Sequence, residues 1–559
     1  MVLTILNVYF WYSNWKYLFM IQRLLYILLF LVGLSVNAQQ EFHVFPKDHK
    51  ETPGTTNGTG AIDDPWDLQT ALKQKPKSVN AGDIIWLHEG IYNGKFVSTL
   101  RCLEPNKYIT VSAYKNDKVV LNGNVSSNKK HVLEVRGQQV IYKNFDITCL
   151  GDFSRNGEDP DFVRINGLEH SIGEDCQFIN LKIYNNPGLG VGSWKHTGGT
   201  IFNGCLIYNN GYMYRGKGVG EGVYTQNNSE KTRVFENCII FNNYYKGIEV
   251  WSANKRAKVE YVKNYQLRSN VFFNNGSPAG RTKDNLIVAS GDRNGINIAK
   301  NIKVLNNILY HNTNVANAQV AGDGASLTLG FHKNAPIENV TVKNNIIIGR
   351  NNGLRILHAK SLTFENNKVY CGYVHMQPSV LEHISKWKLK KNTYYTKNNT
   401  GFRILKHDDY DLKTWHSNFG LDGNSKSKSI TQFDMKTVTS VVRYKHRDNT
   451  FKVVILDKEG QSVLADFSKT GLAAGMVYTI YDVENLSSVL STGTLSEDLK
   501  VMLPMQQTAF EKPLHNTKAN KTLSNFGVFI VEFETQEIAE VSTKKKDNAF
   551  KRFFKWLGF

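Results

Sequence analysis

Four short segments in the middle of the chain place charged, phenolic and indole side chains at alternating positions. Residues 222–227 show the pattern: if Val223 and Thr225 face inward, then Tyr224 and Gln226 face outward, because successive strand side chains point to opposite faces. Residues 162–166, 190–194 and 247–252 align in the same way. This alignment predicts two outward rows: Arg164, Gly192, Tyr224, Glu249 and Asn166, Trp194, Gln226, Trp251.

The second row has the side chains of a sugar-binding surface. Trp194 and Trp251 offer faces on which pyranose rings stack, while Gln226 and Asn166 offer hydrogen bonds. Gly192 leaves space in the first row. The alternative is that inserted loops cover both tryptophans and form a second core.

The first row supports elimination chemistry on a uronate. A lyase needs a base that removes the proton α to the carboxylate and a cation that stabilises the resulting enolate. Tyr224 or Lys246 would be the base, and Arg164 would neutralise the developing charge.

Hydrolysis of a glycosidic bond is the competing reaction, and it needs two carboxylates. Glu221 and Glu249 are the predicted pair, on adjacent coils. For both reactions the non-catalytic interpretation is a structural salt bridge, such as Lys246 to Glu221.

No motif requires a cofactor. The compact acidic loop of Glu158, Asp159 and Asp161 is the metal candidate, with Ca²⁺ as the ion that fits an all-carboxylate set. Asp284, Asp292 and Asp323 are predicted to be solvated turn residues. The sequence contains no phosphate-binding loop, zinc-ligand spacing or Gly-x-Ser-x-Gly elbow.

A repeat must position these side chains. From about residue 132 to 370 one phrase returns, in which Asn precedes a few β-formers and Asn-Asn often follows. The marker residues Asn306, Asn344 and Asn366 lie 38 and 22 residues apart, which fits coils of a parallel solenoid with and without an inserted loop. Asn suits these turns because it tolerates left-handed backbone and its side chain can bond to neighbouring coils. The stacked Cys205 and Cys238 fit this interior, and a disulfide between them is the less favoured alternative.

Several segments resemble a group of exported bacterial right-handed β-helix proteins. They are DPWDLQ at 64–69, AGDIIWL at 81–87, GIY at 90–92 and GVYTQN at 222–227. The resemblance covers most of residues 42–375 and implies the fold, whereas the wider class includes polysaccharide lyases, glycoside hydrolases and non-catalytic proteins. In similar sequences a Gly-His-Gly often precedes Tyr-Thr-Gln-Asn, but Gly220-Glu221-Gly222 stands here, so no histidine role carries over.

The predicted fold is all-β: a right-handed parallel β-helix with an N-terminal cap helix and a small C-terminal antiparallel β-sandwich. The predicted segments are a signal peptide at 1–38 (with 1–19 as an upstream extension), the cap and first coils at 39–131, repeats at 132–375, a lysine-rich connection at 376–434, the sandwich at 435–537 and a tail at 538–559.

The two ends of the chain bear on location. Arg23, the apolar run 24–32 and the small-residue site ending at Ala38 predict an exported protein that is secreted, periplasmic or on the cell surface. A retained membrane anchor is the alternative, although the run is shorter than the ~20 residues of a span. Phe550, Phe553, Phe554 and Leu557 share one face of a basic amphipathic tail, which predicts contact with a membrane surface or an anionic glycan.

The net charge of +19 predicts an acidic partner. Because the cations are dispersed and the chain has an export signal, an anionic polysaccharide fits better than nucleic acid. The predicted function is therefore cleavage of an acidic polysaccharide by a monomeric protein, with β-elimination preferred. Hydrolysis by paired carboxylates and non-catalytic glycan binding or adhesion are the alternatives.

Overall fold

The computed structural model describes residues 39–433, 437–445 and 447–534. Within them, three parallel sheets of 12 strands each wind around one long core, which confirms the predicted parallel β-helix. We call the sheets A, B and C in the order in which each coil visits them. The chain passes from A to B to C and then rises to the next coil, so strands that are neighbours in a sheet come from successive coils.

The strands are as follows. Sheet A contains Glu41–Val44, Ile84–Leu87, Ile109–Ala113, Val140–Lys143, Gln177–Ile179, Ile201–Asn203, Arg233–Glu236, Lys263–Arg268, Lys300–Leu305, Glu338–Lys343, Leu362–Glu365 and Lys388–Lys390. Sheet B contains Gly90–Asn93, Val119–Asn122, Asp146–Thr148, Lys182–Tyr184, Leu206–Tyr208, Ile239–Phe241, Val271–Phe273, Ile308–Tyr310, Ile346–Ile348, Lys368–Tyr370, Thr393–Thr396 and Lys426–Ser429. Sheet C contains Phe96–Ser98, His131–Val135, Asn166–His170, Val191–Ser193, Val223–Thr225, Ile248–Ser252, Leu286–Ser290, Leu327–Leu329, Leu354–Ile356, Val374–Met376, Phe402–Ile404 and, antiparallel at its edge, Asp408–Tyr410.

Asparagines shape the turns, as the repeat predicted. Asn306, Asn344 and Asn366 adopt positive φ angles of 55–58°. The residue after each one is buried, and Asn307 donates to Asn345 (3.0 Å), which donates to Asn367 (3.0 Å). These ladders satisfy backbone and amide groups inside the turns, where an unpaired polar group would be costly.

The solenoid is longer than the sequence repeat. The lysine-rich segment predicted as a connection contains strands of all three sheets, including Lys388–Lys390, whose leucine is buried while both lysines are exposed. The apparent charge run is therefore the outer face of a strand. Helix α1 (Leu68–Ala71, N-capped by Asp67) lies at the amino end, as predicted, and α2 (Leu412–Phe419) closes the other end by stacking Trp415 on Phe402. Four 3₁₀ turns, Ser277–Ala279, Pro378–Glu382, Ile384–Lys386 and Ile430–Gln432, complete the helical elements described.

The C-terminal region is a small antiparallel domain that packs on sheet B. Its five-stranded sheet has the order Val438–Arg443, Thr450–Leu456, Phe526–Phe533, Val477–Asp482, Ser491–Thr494, and a two-stranded sheet, Val463–Asp466 with Lys500–Leu503, covers one face. The other face, including Val454 and Phe526, contacts the aromatic rings of Phe273 and Tyr310 on sheet B. A hairpin, Tyr212–Tyr214 with Lys217–Val219, projects before sheet C.

The predicted signal peptide at 1–38 and the amphipathic tail at 538–559 lie outside the described residues. Within the described residues, no helix has the length and apolarity needed to cross a membrane. All six cysteines are buried thiols, including Cys205 and Cys238.

Candidate functional site

The register of sheet C differs from the sequence alignment at one strand. Asn166–His170, rather than residues 162–166, pairs with Val191–Ser193, so Glu169 lies opposite Gly192. Gly192 then lies opposite Tyr224, and Tyr224 opposite Glu249. Arg164 is therefore not a member of the first outward row. That place belongs to Glu169, and one coil earlier to Glu134.

Glycine sets this register. Gly167, Gly190, Gly222 and Gly247 each precede an inward aliphatic residue at the start of a sheet C strand. A Cβ on Gly167 would lie 2.7 Å from the carbonyl oxygen of Gly190, so a side chain does not fit there. The Gly-aliphatic step is the sequence signal that would have identified Glu169.

The predicted binding row is formed by Trp194, Gln226 and Trp251, which follow paired strand positions on successive coils. All three side chains are partly exposed, so loops do not cover the tryptophans as a second core. The Trp194 and Tyr224 rings lie 5.3 Å apart at 41°, and Trp251 contacts the exposed Phe331 edge-on at 4.9 Å. Together they form an aromatic platform along the outer face of sheet C.

Asn166 does not belong to this row. It lies three residues before Glu169 and is buried, where its Oδ1 accepts hydrogen bonds from the backbone N–H of Leu189 (2.9 Å) and from Nε of the exposed Arg164 (3.3 Å). Its amide oxygen is therefore committed to holding the turn and Arg164, and its Nδ2 lies 3.4 Å from Nδ1 of His131.

At the amino-terminal end of the platform, Glu134, His131 and Glu169 form what we call the upstream cluster. The indole N–H of Trp194 donates a short hydrogen bond to Oε1 of Glu169. The other oxygen, Oε2, lies 3.4 Å from Nδ1 of His131 and, although shielded from solvent, makes no hydrogen bond among the described residues. A Cβ at position 192 would lie 2.6 Å from this oxygen, so Gly192 makes room for it.

The two carboxylates of the upstream cluster differ in proton affinity. Burial raises the pKa of Glu169 to about 7, against the opposing effects of the neighbouring Trp194 and Asn166 side chains. Burial would also raise the pKa of Glu134, but hydrogen bonds from Arg136 (2.6 Å) and Ser171 (3.0 Å) bring it below its usual value. Near neutral pH, Glu134 is thus ionised, while Glu169, one coil away, can still hold a proton.

Glu221, Lys246 and Glu249 form the downstream cluster, at the other end of the platform. Nζ of Lys246 is 2.5 Å from Oε1 of Glu249, which is 2% exposed. The salt bridge expected between Lys246 and Glu221 is therefore made instead with Glu249, three residues later and inside the strand Ile248–Ser252. Lys246 also lies over the rings of Tyr245 (4.8 Å) and Trp251 (5.8 Å).

The electrostatics of the downstream cluster do not favour the predicted bases. Burial alone would lower the pKa of Lys246, but Glu249 and Asp284 raise it above its ordinary value. Burial raises the pKa of Tyr224 to about 12. A general base acts best when its pKa is near the working pH, so both groups hold their protons too tightly. Burial and the charge of Glu249 raise the pKa of Glu221 to about 7.

A buried guanidinium fixes the platform from below. Arg233 is fully buried and donates to the carbonyl oxygens of Ser193 (3.1 Å), Trp194 (3.2 Å) and Gln226. It has no carboxylate partner among the described residues and is balanced by these carbonyls and by Thr197. Sequence reasoning missed Arg233, because it sits on a sheet A strand and reaches under sheet C.

The loop predicted to bind calcium is occupied by its own hydrogen bonds. Asp159 accepts from Ser154 Oγ (2.5 Å) and Asn156 Nδ2 (2.6 Å), and Glu158 accepts from the backbone N–H of Arg215 (3.2 Å). In the part of the chain that the structure describes, no group of three or more His, Cys, Asp or Glu residues is arranged to hold a metal ion. The metal prediction for Glu158, Asp159 and Asp161 is thus not supported.

Comparisons with known proteins give no family assignment. No family model matches the sequence, and no curated protein matches it. Among solved structures, XylC in complex with xylose shares 11% identity over 88% of this chain and all of its own, with a TM-score of 0.42. The pectate lyase Pel9A shares 16% identity over 70% of this chain and 79% of its own (TM-score 0.38). An alginate lyase from Paenibacillus sp. shares 16% over 64% of this chain and 96% of its own (TM-score 0.32).

Proposed function

We propose that this protein is an exported enzyme that cleaves a glycan bound along the outer face of sheet C. The observation that carries the proposal is the state of Glu169, a buried carboxyl group that accepts from the indole of Trp194, has no hydrogen bond on its other oxygen and has a pKa raised to about 7. A buried acid with one oxygen lacking a hydrogen bond is costly to maintain, and groups with perturbed pKa values concentrate at functional sites. Export rests on the sequence pattern of residues 1–38.

Hydrolysis is the reaction that these carboxylates support best. Glu169 would protonate the leaving oxygen of the glycosidic bond, and the ionised Glu134 would act as nucleophile or as base toward water. The two residues occupy paired positions on adjacent strands. Paired strands lie ~4.8 Å apart, so the two side chains leave the backbone close enough together to act on one glycosidic bond. Glu134 and Glu169 therefore replace Glu221 and Glu249 as the principal candidates for the two catalytic carboxylates.

The aromatic platform would position the sugar chain for this reaction. Trp194 both donates to Glu169 and exposes part of its ring, so a pyranose stacked on it would lie beside the acid. Tyr224 and Trp251 continue the surface over the next two coils. Gln226, in the same row, offers an amide to sugar hydroxyls.

β-Elimination is the second candidate, and the position of Arg164 favours it. Its exposed guanidinium is near enough to oppose the rise in the pKa of both Glu169 and Glu221. It could therefore also neutralise the carboxylate of a bound uronate. The net charge of +19 supports the same substrate class. The base would have to be Tyr224 or Lys246, and the raised pKa of each weighs against this reaction.

The test is a panel of neutral, uronate-containing and sulfated polysaccharides incubated with the protein, followed by both reducing ends and ultraviolet absorbance of unsaturated products. We expect new reducing ends without absorbance. Reducing ends with absorbance would establish elimination and direct attention to Tyr224, Lys246 and Arg164. No products, with measurable retention on an immobilised glycan, would overturn the enzymatic proposal in favour of a glycan-binding protein.

A further inference from the structure

Two arginines and a histidine lie in the continuation of the outward row of sheet C beyond the downstream cluster. The register passes from Glu249 to Ile287, Thr328, Arg355, His375 and Arg403 on successive coils. Arg355, His375 and Arg403 therefore occupy equivalent positions on three neighbouring strands. Side chains in such a row are one strand spacing apart, ~4.8 Å, and can contact one ligand together.

Two of these three side chains lack partners. Nε of Arg355 and both ring nitrogens of His375 are shielded from solvent and make no hydrogen bond within the described residues. Arg403, in contrast, has partners. Asp409 accepts from its Nε (2.8 Å) and NH2 (2.7 Å), and its guanidinium lies 4.3 Å from the centre of the Tyr373 ring. A buried donor left without an acceptor is destabilising, so such groups call for an explanation.

Further positive charge surrounds Arg355. Lys283 is half-buried, and its pKa is lowered by burial and by the charges of Lys246, Arg281 and Arg355, against the opposing effect of Asp284. The carboxylate of Asp284 is already engaged, since it accepts from Thr328 Oγ1 at 2.5 Å. The acid acting on His375 is the exposed Asp323. Within the described part of the chain, neither Arg355 nor Lys283 forms a close ion pair, so Asp284 and Asp323 compensate the local positive charge only in part.

We infer that Arg355 and His375, with Lys283 beside them, form a binding subsite for an acidic group, a carboxylate or a sulfate, of the glycan on sheet C. A guanidinium offers paired donors that match a planar carboxylate or two sulfate oxygens. Arg355 lies three coils from Glu249, or ~14 Å along the solenoid axis. The inference rests on the proposed function only in taking the ligand to be the chain that also crosses the aromatic platform.

Binding can be tested separately from cleavage. Calorimetric titration of the protein with oligogalacturonate, dextran sulfate and neutral dextran, at low and high salt, would be compared between wild type, Arg355→Gln and the control Lys303→Gln. Lys303 is exposed on the outer face of sheet A, so its substitution removes the same charge from another surface. A charged hydrogen bond is worth roughly tenfold or more in affinity, so we expect Arg355→Gln to lose about that factor for one polyanion while Lys303→Gln does not.

Each result has a defined meaning. Preference for oligogalacturonate or for dextran sulfate would identify the acidic group. Equal affinity of wild type and Arg355→Gln for every polyanion, or tighter binding of neutral dextran than of either polyanion, would overturn the inference. His375→Gln provides a second variant if Arg355→Gln folds poorly, as judged by its thermal unfolding. A polyanion bound through Arg355 but never cleaved would contradict the proposed function alone, whereas cleavage of a neutral glycan without polyanion binding would contradict the subsite alone.

Discussion

The upstream and downstream clusters place carboxylates at the two ends of one aromatic platform, yet they leave these groups in opposite conditions. In the downstream cluster, the Glu249 carboxylate is buried against a lysine ammonium 2.5 Å away. In the upstream cluster, the Glu169 carboxyl has only an indole donor on one oxygen and no hydrogen bond on the other. A carboxylate paired with a lysine is poorly placed to exchange a proton with a ligand, whereas an acid with a pKa of about 7 can both hold and release one near neutral pH.

Among the substitutions that distinguish the two clusters, Glu169→Gln is expected to have the largest effect, a loss of activity. Gln keeps the size of the side chain and can accept from Trp194, but it cannot donate a carboxyl proton. Loss of a general acid lowers kcat by about 10²–10⁴-fold. Steady-state assays on the cleaved glycan should show this loss with little change in thermal stability.

The matched control for this substitution is Glu230→Gln, on an exposed residue that pairs with Lys263 outside the site. We expect full activity from it. Activity of Glu169→Gln within a factor of about two of wild type would mean that the upstream cluster does not supply the acid, and Glu221 would become the candidate.

Breaking the downstream pair should instead reduce stability. Lys246→Met leaves the carboxylate of Glu249 buried without its partner, and removing one member of a buried pair costs about 3–5 kcal/mol. Chemical denaturation would measure the change in free energy of unfolding. The double variant Lys246→Met/Glu249→Leu removes both charges and should recover most of that loss. If the single variant unfolds like wild type but has lost activity, the downstream cluster is the catalytic one.

Strand alternation predicted much of this arrangement from the sequence. Tyr224, Glu249 and Trp251 face outward as expected, because each outward residue is flanked by aliphatic residues that fill the core. The alignment failed at Asn166, where the long loop between sheets B and C allows two registers and only the Gly167–Leu168 step distinguishes them. The lysines at 388 and 390 suggested a linker for a related reason, since a short strand with a charged outer face has few apolar residues to mark it.

The sequence could not predict which of the two upstream carboxyl groups is protonated. Glu134 and Glu169 are the same residue type at paired positions, and their pKa values move in opposite directions. The difference depends on Arg136 and Ser171 reaching Glu134 and on the room above Gly192 beside Glu169. These features follow from side-chain packing across several coils, which a linear pattern does not contain.

The pH dependence of activity should also distinguish the clusters. Glu169 must be protonated to donate, and its pKa is about 7, so kcat/KM is expected to fall as the pH rises through about 7. Glu134 must be ionised, and because its pKa is below the usual value, the acid limb should lie below the range in which a glutamate ordinarily titrates. A profile extended on the acid side until the protein unfolds, and on the alkaline side to about pH 10, would test both limbs. An activity that rises toward pH 10 would favour deprotonated Tyr224 as a base, and therefore elimination.

The smallest effect is expected from Trp194→Phe, which preserves the ring but removes the N–H that donates to Glu169. That hydrogen bond stabilises the ionised carboxylate and opposes the rise in pKa. Without it the pKa of Glu169 should increase further, so the alkaline limb should move to higher pH by a fraction of a unit, with a modest rise in KM from the smaller stacking face. Trp251→Phe is the control, because Trp251 lies beside the downstream pair and should leave the limb unchanged. If Trp251→Phe shifts the alkaline limb and Trp194→Phe does not, the acid that titrates is Glu221 rather than Glu169. Glu221 also lies at this surface and also has a pKa of about 7.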